Sequence, residues 1–204
     1  FLWLPLGLMP SAANSDRLCE RFGNNNVVSF GLSLIGVAML VFTTVERETD
    51  YAVLAAIFFL IGIGMGLTMA PSTTLVMDSI PHDKAGVGSA TNDASREVGG
   101  AFGIAIVGSA VNEIYQREME VPVGLEVHSE AVSESFPAAI RIGNELLALG
   151  DEMGHELIVN AEFAFVEGMT GAAAISAMAA MINAVLVKLY MPSRIFGEET
   201  PDGR

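Results

Sequence analysis

Four apolar runs divide the chain, at residues 27–45, 51–77, 98–115 and 169–191. Each approaches or exceeds the roughly 20 residues that a helix needs to cross a bilayer. Soluble helices usually keep a polar face, and these runs carry almost none, so a water-soluble bundle of buried helices is the weaker reading. The pattern predicts four membrane-spanning helices. Residues 1–9, FLWLPLGLM, are apolar but too short to cross, and no basic region of a signal peptide precedes them. With no initiating Met, they read as the tail of a fifth helix, and the chain as the carboxyl-terminal piece of a longer protein.

Between the spans the sequence turns polar. The expected order is a helix end and connecting loop over 1–26, spans over 27–45 and 51–77, and a loop with a helix start over 78–97. A span over 98–115, an acidic loop over 116–168, a last span over 169–191 and a tail over 192–204 follow. Within the acidic loop, AIRIGNELLALGDEMGHELIVNAEF suggests amphipathic helices lying on the membrane surface or on the protein. So short a segment is expected to bury little core of its own.

Composition agrees with a membrane class. A mean hydropathy of +0.49 with 51% hydrophobic residues requires cover from lipid or from partners. The net charge of −14 is local, because ten of the acids lie between Glu118 and Glu162. Basic residues orient the chain, since Lys and Arg stay on the cytoplasmic side. Arg17, Arg21, Lys84, Arg96, Lys188, Arg194 and Arg204 fall on one side of a four-span arrangement, and Arg47, Arg117 and Arg141 on the other. That places the carboxyl terminus in the cytoplasm and the acidic loop outside.

Charge inside hydrocarbon is costly and usually tied to ions or substrates. The informative case is residues 89–110, SATNDASREVGGAFGIAIVGSA, where two carboxylates stand four residues apart at the mouth of a glycine-studded helix. At about 100° per residue, Asp93 and Glu97 share a stripe that Gly100, Ile104 and Gly108 continue, with Gly99 and Gly103 on another face. Glu97, close to the membrane boundary, is expected to be partly desolvated, which favours its protonated form. It can then exchange a proton for a cation, with Asp93 attracting cations beside it. The competing reading makes both ordinary helix-start residues, favoured by the macrodipole, with Asp93 paired to Arg96.

Small residues carry a packing message, because close approach supplies much of the association energy of helices in lipid. Gly62 and Gly66 form one such step, and Gly99 and Gly103 another. Gly62, Gly66 and Pro71 also make the second span easy to bend, so flexing competes with static packing there. Asp78 stands at a helix end that disfavours negative charge and is a minor candidate, with Lys84 as its partner.

Residues 80–109, IPHDKAGVGSATNDASREVGGAFGIAIVGS, resemble the late membrane helices of the fourteen-span drug:proton antiporters of the major facilitator superfamily, and the likeness extends loosely over nearly the whole chain. The resemblance implies an all-α polytopic fold, here the last four transmembrane helices plus the end of a preceding one. Some members that export cations carry acids matching Glu97 and Asp93. SDRLCERFG resembles the superfamily's cytoplasmic Asp-Arg loop, with Asp16, Arg17 and Arg21 in register, while Cys19 and Glu20 depart from the usual glycine and base. Those residues imply a gating loop, and a plain solvated loop is the alternative.

The implied activity is export of hydrophobic, cationic compounds such as drugs, dyes and antibiotics in exchange for protons, across the plasma membrane, by alternating access. The partners are the small-molecule substrate, the bilayer and the missing amino-terminal part of the transporter, with the proton gradient in place of a cofactor. A membrane scaffold with no transport of its own is the alternative of a different class. Enzymatic motifs are absent. The single Cys19 and the scattered His82, His128 and His155 offer no metal site, and no nucleic-acid partner is implied.

Overall fold

The computed structural model describes residues 2–46, 48–81, 84–125 and 129–193. Among them the chain forms seven helices and no strand: α1 Trp3–Phe22, α2 Asn24–Phe42, α3 Tyr51–Asp78, α4 Ala85–Glu118, α5 Ser129–Glu134, α6 Phe136–Ala148 and α7 Met153–Tyr190. The helices α2, α3, α4 and α7 are long and apolar enough to cross a membrane. The described residues divide into two units. One is drawn from Phe1–Val41, Asp50–Phe102 and Ser176–Arg204, and the other from Phe42–Thr49 and Gly103–Ile175.

In the first unit, α1 packs on α3 through glycine. A side chain at Gly7 would strike the backbone of Ile63, 2.9 Å from its nitrogen, and one at Gly66 would lie 2.7 Å from the Leu8 carbonyl. Gly62 likewise meets the Leu4 carbonyl of α1. On α3's other contact, Gly31 of α2 approaches the Gly64 carbonyl, with 2.8 Å to an added carbon. Gly62 and Gly66 thus both stand at close approaches of α1 to α3, and Pro71 is buried within the same helix. The helix α2 also holds the last turns of α7. Ser29 Oγ donates to the Ala184 carbonyl at 2.8 Å, the Asn24 backbone N–H to that of Ser193 at 3.0 Å, and Lys188 Nζ to Asn26 Oδ1.

In the second unit, Tyr115, Met119, Leu125, Val132, Ala139, Ile142, Leu157, Ala161 and Ala164 form a continuous buried core. This corrects the expectation that the acidic segment buries little. Eight of the nine core residues lie within 116–168 and Tyr115 stands just before it, so the core forms where α5 and α6 close on the adjoining ends of α4 and α7. The amphipathic stretch divides into α6 and the start of α7, whose apolar sides meet each other. Gly143 and Gly154 let the backbones approach, since a carbon added at Gly143 would lie 3.0 Å from the Gly154 carbonyl. Between them the chain turns at Gly150, whose φ of +82° suits glycine, and Asp151 caps α7 by accepting from Met153 N–H at 3.0 Å.

Three boundaries differ from the sequence reading. The segment SDRLCERFG is not a loop, because α1 runs through it and stops only at Gly23, where φ is +86° and the N–H closes on the Cys19 carbonyl. The start of α4 lies well before residue 98, and α7 begins well before residue 169. In each case polar residues had suggested loop, yet polarity describes what surrounds a segment and not whether it coils. The tail beyond Ser193, with Arg194 and Arg204, and also Arg47, His82 and His128, lie outside the described residues.

Candidate functional site

The first turns of α4 set the site. Ser and Thr ordinarily compete with helix by bonding to the backbone in other conformations, but here they bond back along it. Thr91 Oγ1 donates to the Val87 carbonyl at 2.9 Å and Ser95 Oγ to that of Thr91 at 2.8 Å. The polar stretch is thereby helical from Ala85, and Asp93 and Glu97 sit one turn apart on a regular scaffold rather than on a loop.

Both carboxylates are exposed. Among the described residues no neighbouring element covers that side of the helix, so they do not by themselves supply the partial desolvation expected for Glu97. Asp93 and Arg96 form no ion pair. The Arg96 guanidinium turns instead to α3, where its Nη2 lies 3.8 Å from Met69 Sδ. The ordinary helix-start reading loses its pair as well.

Beside Glu97, Gly86, Val87, Ala90, Thr91, Ala94 and Val98 line a broad shallow groove of about 660 Å³. Its shape follows from small residues recurring every four positions, which leave one flank of α4 thin. Farther along, Gly99, Gly100, Gly103 and Gly108 have nothing within 4 Å of an added Cβ. The packing step predicted for Gly99 and Gly103 is thus not made by any described residue. Phe102, Ile104 and Ile106 are exposed on the same helix, so α4 presents an apolar surface that no other described residue covers.

The other candidates lie apart from this pair. Asp16, Arg17 and Arg21 are exposed near the end of α1, and Arg21 stacks over the Phe22 ring at 5.3 Å. Asp16 bears on its neighbour Cys19: burial first, and the Asp16 charge second, push that thiol up to about 11. Asp78 ends α3 without an ion pair to Lys84 among the described residues. No group of three His, Cys, Asp or Glu side chains there is placed to hold a metal.

A second cavity, of about 320 Å³, opens in the unit that contains α5 and α6, lined by Gly108, Asn112, Tyr115, Glu134, Phe136 and Phe165 among others. Apart from Gly108, placed on the stripe of Asp93 and Glu97, the sequence reading assigned none of them a role. The available signal was weak: Tyr115 and Phe165 near the ends of apolar runs and Phe136 within the acidic segment, brought together only once that segment folds back on α4.

The chain matches the Major Facilitator Superfamily over residues 2–111. It is 26% identical over 172 residues to the multidrug efflux pump LfrA of Mycolicibacterium smegmatis, covering 84% of this chain and 34% of that protein. To the methyl viologen resistance protein SmvA of Salmonella typhimurium it is 29% identical over 135 residues, 63% of this chain and 26% of the relative. The methylenomycin A resistance protein of Streptomyces coelicolor is 30% identical over 107 residues, 52% of this chain and 22% of its own length. The chain thus spans no more than 34% of any of these three relatives. No solved structure matches it. With four helices long and apolar enough to cross a bilayer and a family match over more than half its length, this chain is a multi-pass membrane protein belonging to the Major Facilitator Superfamily.

Proposed function

We propose that these helices serve a drug:proton antiporter of the fourteen-span type, which exports hydrophobic, cationic compounds across the cell membrane by alternating access. Relatives named for multidrug efflux and for methyl viologen resistance support drug export. The observation that carries the coupling role is the pair Asp93 and Glu97, held one turn apart on α4 at the edge of an uncovered apolar groove. Helices of a preceding half of the transporter cover that groove, and burial then favours the protonated carboxyl. Glu97 takes up a proton when it releases a cationic substrate and gives it up when the next one binds. Asp93 draws cations toward it.

In this reading the proton gradient drives transport and no cofactor takes part. The partners are the bilayer, the remaining helices and the small-molecule substrate, without nucleic acid. Asp16, Arg17 and Arg21 lie on the cytoplasmic side, where they latch one conformation, and the carboxyl terminus is cytoplasmic. Gly62, Gly66 and Pro71 give α3 a tight seam and a point of flexure.

Glu97→Gln in the full-length protein tests the reading. Everted vesicles with an imposed proton gradient report efflux of a cationic dye. Loss of gradient-driven efflux with normal expression is expected, and efflux equal to wild type removes Glu97 from the mechanism.

A further inference from the structure

The cavity bounded by α4, α5, α6 and α7 has a chemistry of its own. Phe136 stacks on Phe165 with ring centroids 4.4 Å apart and meets Tyr115 edge-on at 6.2 Å. These rings form one side of the cavity, and Glu134 with Asn112 supplies its polar groups. Gly108 keeps a further part of the wall open, since nothing stands within 4 Å of its missing Cβ. Its volume of about 320 Å³ falls at the small end of ligand sites, which run from about 300 Å³ upward.

Three properties select the ligand. Aromatic faces attract cations through their quadrupole and apolar groups through burial. A carboxylate adds a full negative charge and repels anions. Among the described residues of the same unit, Arg117 is engaged with Glu118 at 3.4 Å and Arg141 with Glu145 at 3.2 Å. The surrounding segment is otherwise rich in acids, so its field concentrates positive ligands at the opening. A small hydrated metal ion would leave the rings unused, and a neutral acyl chain would leave Glu134 facing hydrocarbon.

We propose that this cavity binds a lipophilic organic monocation of the quaternary ammonium or phosphonium class, with its charge beside Glu134 and its substituents against Phe136 and Phe165. The site shares no residue with the coupling pair on α4. It adds a second place at which a cation is held and does not depend on Glu97.

Protection of an introduced thiol tests this in the purified full-length protein in a maltoside detergent, with tetraphenylphosphonium as the probe. Ser135 lines the cavity and makes no capping hydrogen bond, so Ser135→Cys in a Cys19→Ala background places a reporter at low structural cost. Tetraphenylphosphonium should slow N-ethylmaleimide labelling saturably. Glu134→Gln should raise the half-protecting concentration about tenfold, and Phe136→Leu, which keeps an apolar side chain, about fivefold.

Glu97→Gln should leave protection unchanged, which separates this site from the coupling proposal whichever way the efflux test falls. The inference is overturned by absence of protection, by equal protection in both cavity variants, or by equal protection from neutral triphenylphosphine oxide. Glu134 is exposed, so its replacement decides the matter even if Phe136→Leu fails to fold.

Discussion

The phenol of Tyr115 donates a buried 2.9 Å hydrogen bond to the carbonyl of Val132, tying the end of α4 to α5. Tyr115→Phe keeps the ring against Phe136 and removes only that bond. A net loss of about 1–2 kcal/mol is expected, read as a lower melting midpoint of the detergent-solubilised protein. An unchanged midpoint would show that the bond contributes nothing to the second unit.

The glycines of α3 and α4 should respond in opposite ways. An alanine carbon at Gly66 would lie 2.7 Å from the Leu8 carbonyl and 2.8 Å from the Ala12 nitrogen, so Gly66→Ala must push α1 away. The cost is about 1–3 kcal/mol. Gly99→Ala meets nothing within 4 Å and gains up to about 1 kcal/mol of helix propensity. Melting midpoints of the two variants on this chain should move apart, and matched shifts would contradict the packing described.

Ser29 is one of the side-chain links from α2 to the last turns of α7, at 2.8 Å from the Ala184 carbonyl. Ser29→Ala should cost about 1 kcal/mol, whereas Ser29→Thr keeps a donor. Cross-linking between cysteines introduced at Gly36 and Met181, which touch in the structure, should become less efficient in the alanine variant alone. Equal efficiency in both variants would show that the hydroxyl does not hold the pair.

Cys19 should behave as a slow thiol. Its native value of about 11, against 9.0 for an unperturbed group, means that the folded chain holds the proton more tightly than the unfolded one. The associated stability is fully present below pH 9 and is lost progressively as pH rises toward 11. Iodoacetamide alkylation should therefore be slow at pH 8 and climb about tenfold per pH unit to near pH 11. Asp16→Asn, which removes the second cause of the shift, should speed it. A rate that levels off by pH 9 would show the thiol to be unshifted.

Much of the fold was legible in the sequence because lipid imposes a simple rule. Runs such as residues 51–77 have no polar face, and α3 spans Tyr51–Asp78 almost as read. Polar helices were harder to recognise. Nothing local in TNDASR distinguishes a loop from a helix whose hydroxyls bond back along its own backbone, and the acidic segment's core forms only when residues far apart along it, such as Met119 and Ala164, come together. At the candidate site, the spacing of Asp93 and Glu97 followed from helical geometry, but their burial depends on neighbours that the described residues do not supply. Gly62 and Gly99 belong to identical motifs, and only the position of α1 tells them apart.

The back-bonding of Thr91 and Ser95 leaves a final consequence for the groove beside Glu97. Each hydroxyl has spent its hydrogen inside the helix, so that flank offers mainly methyl and methylene groups to whatever approaches. A stretch that looks hydrophilic letter by letter thus presents an oily strip. Water has few anchor points along it, and an incoming surface can displace that water at little cost.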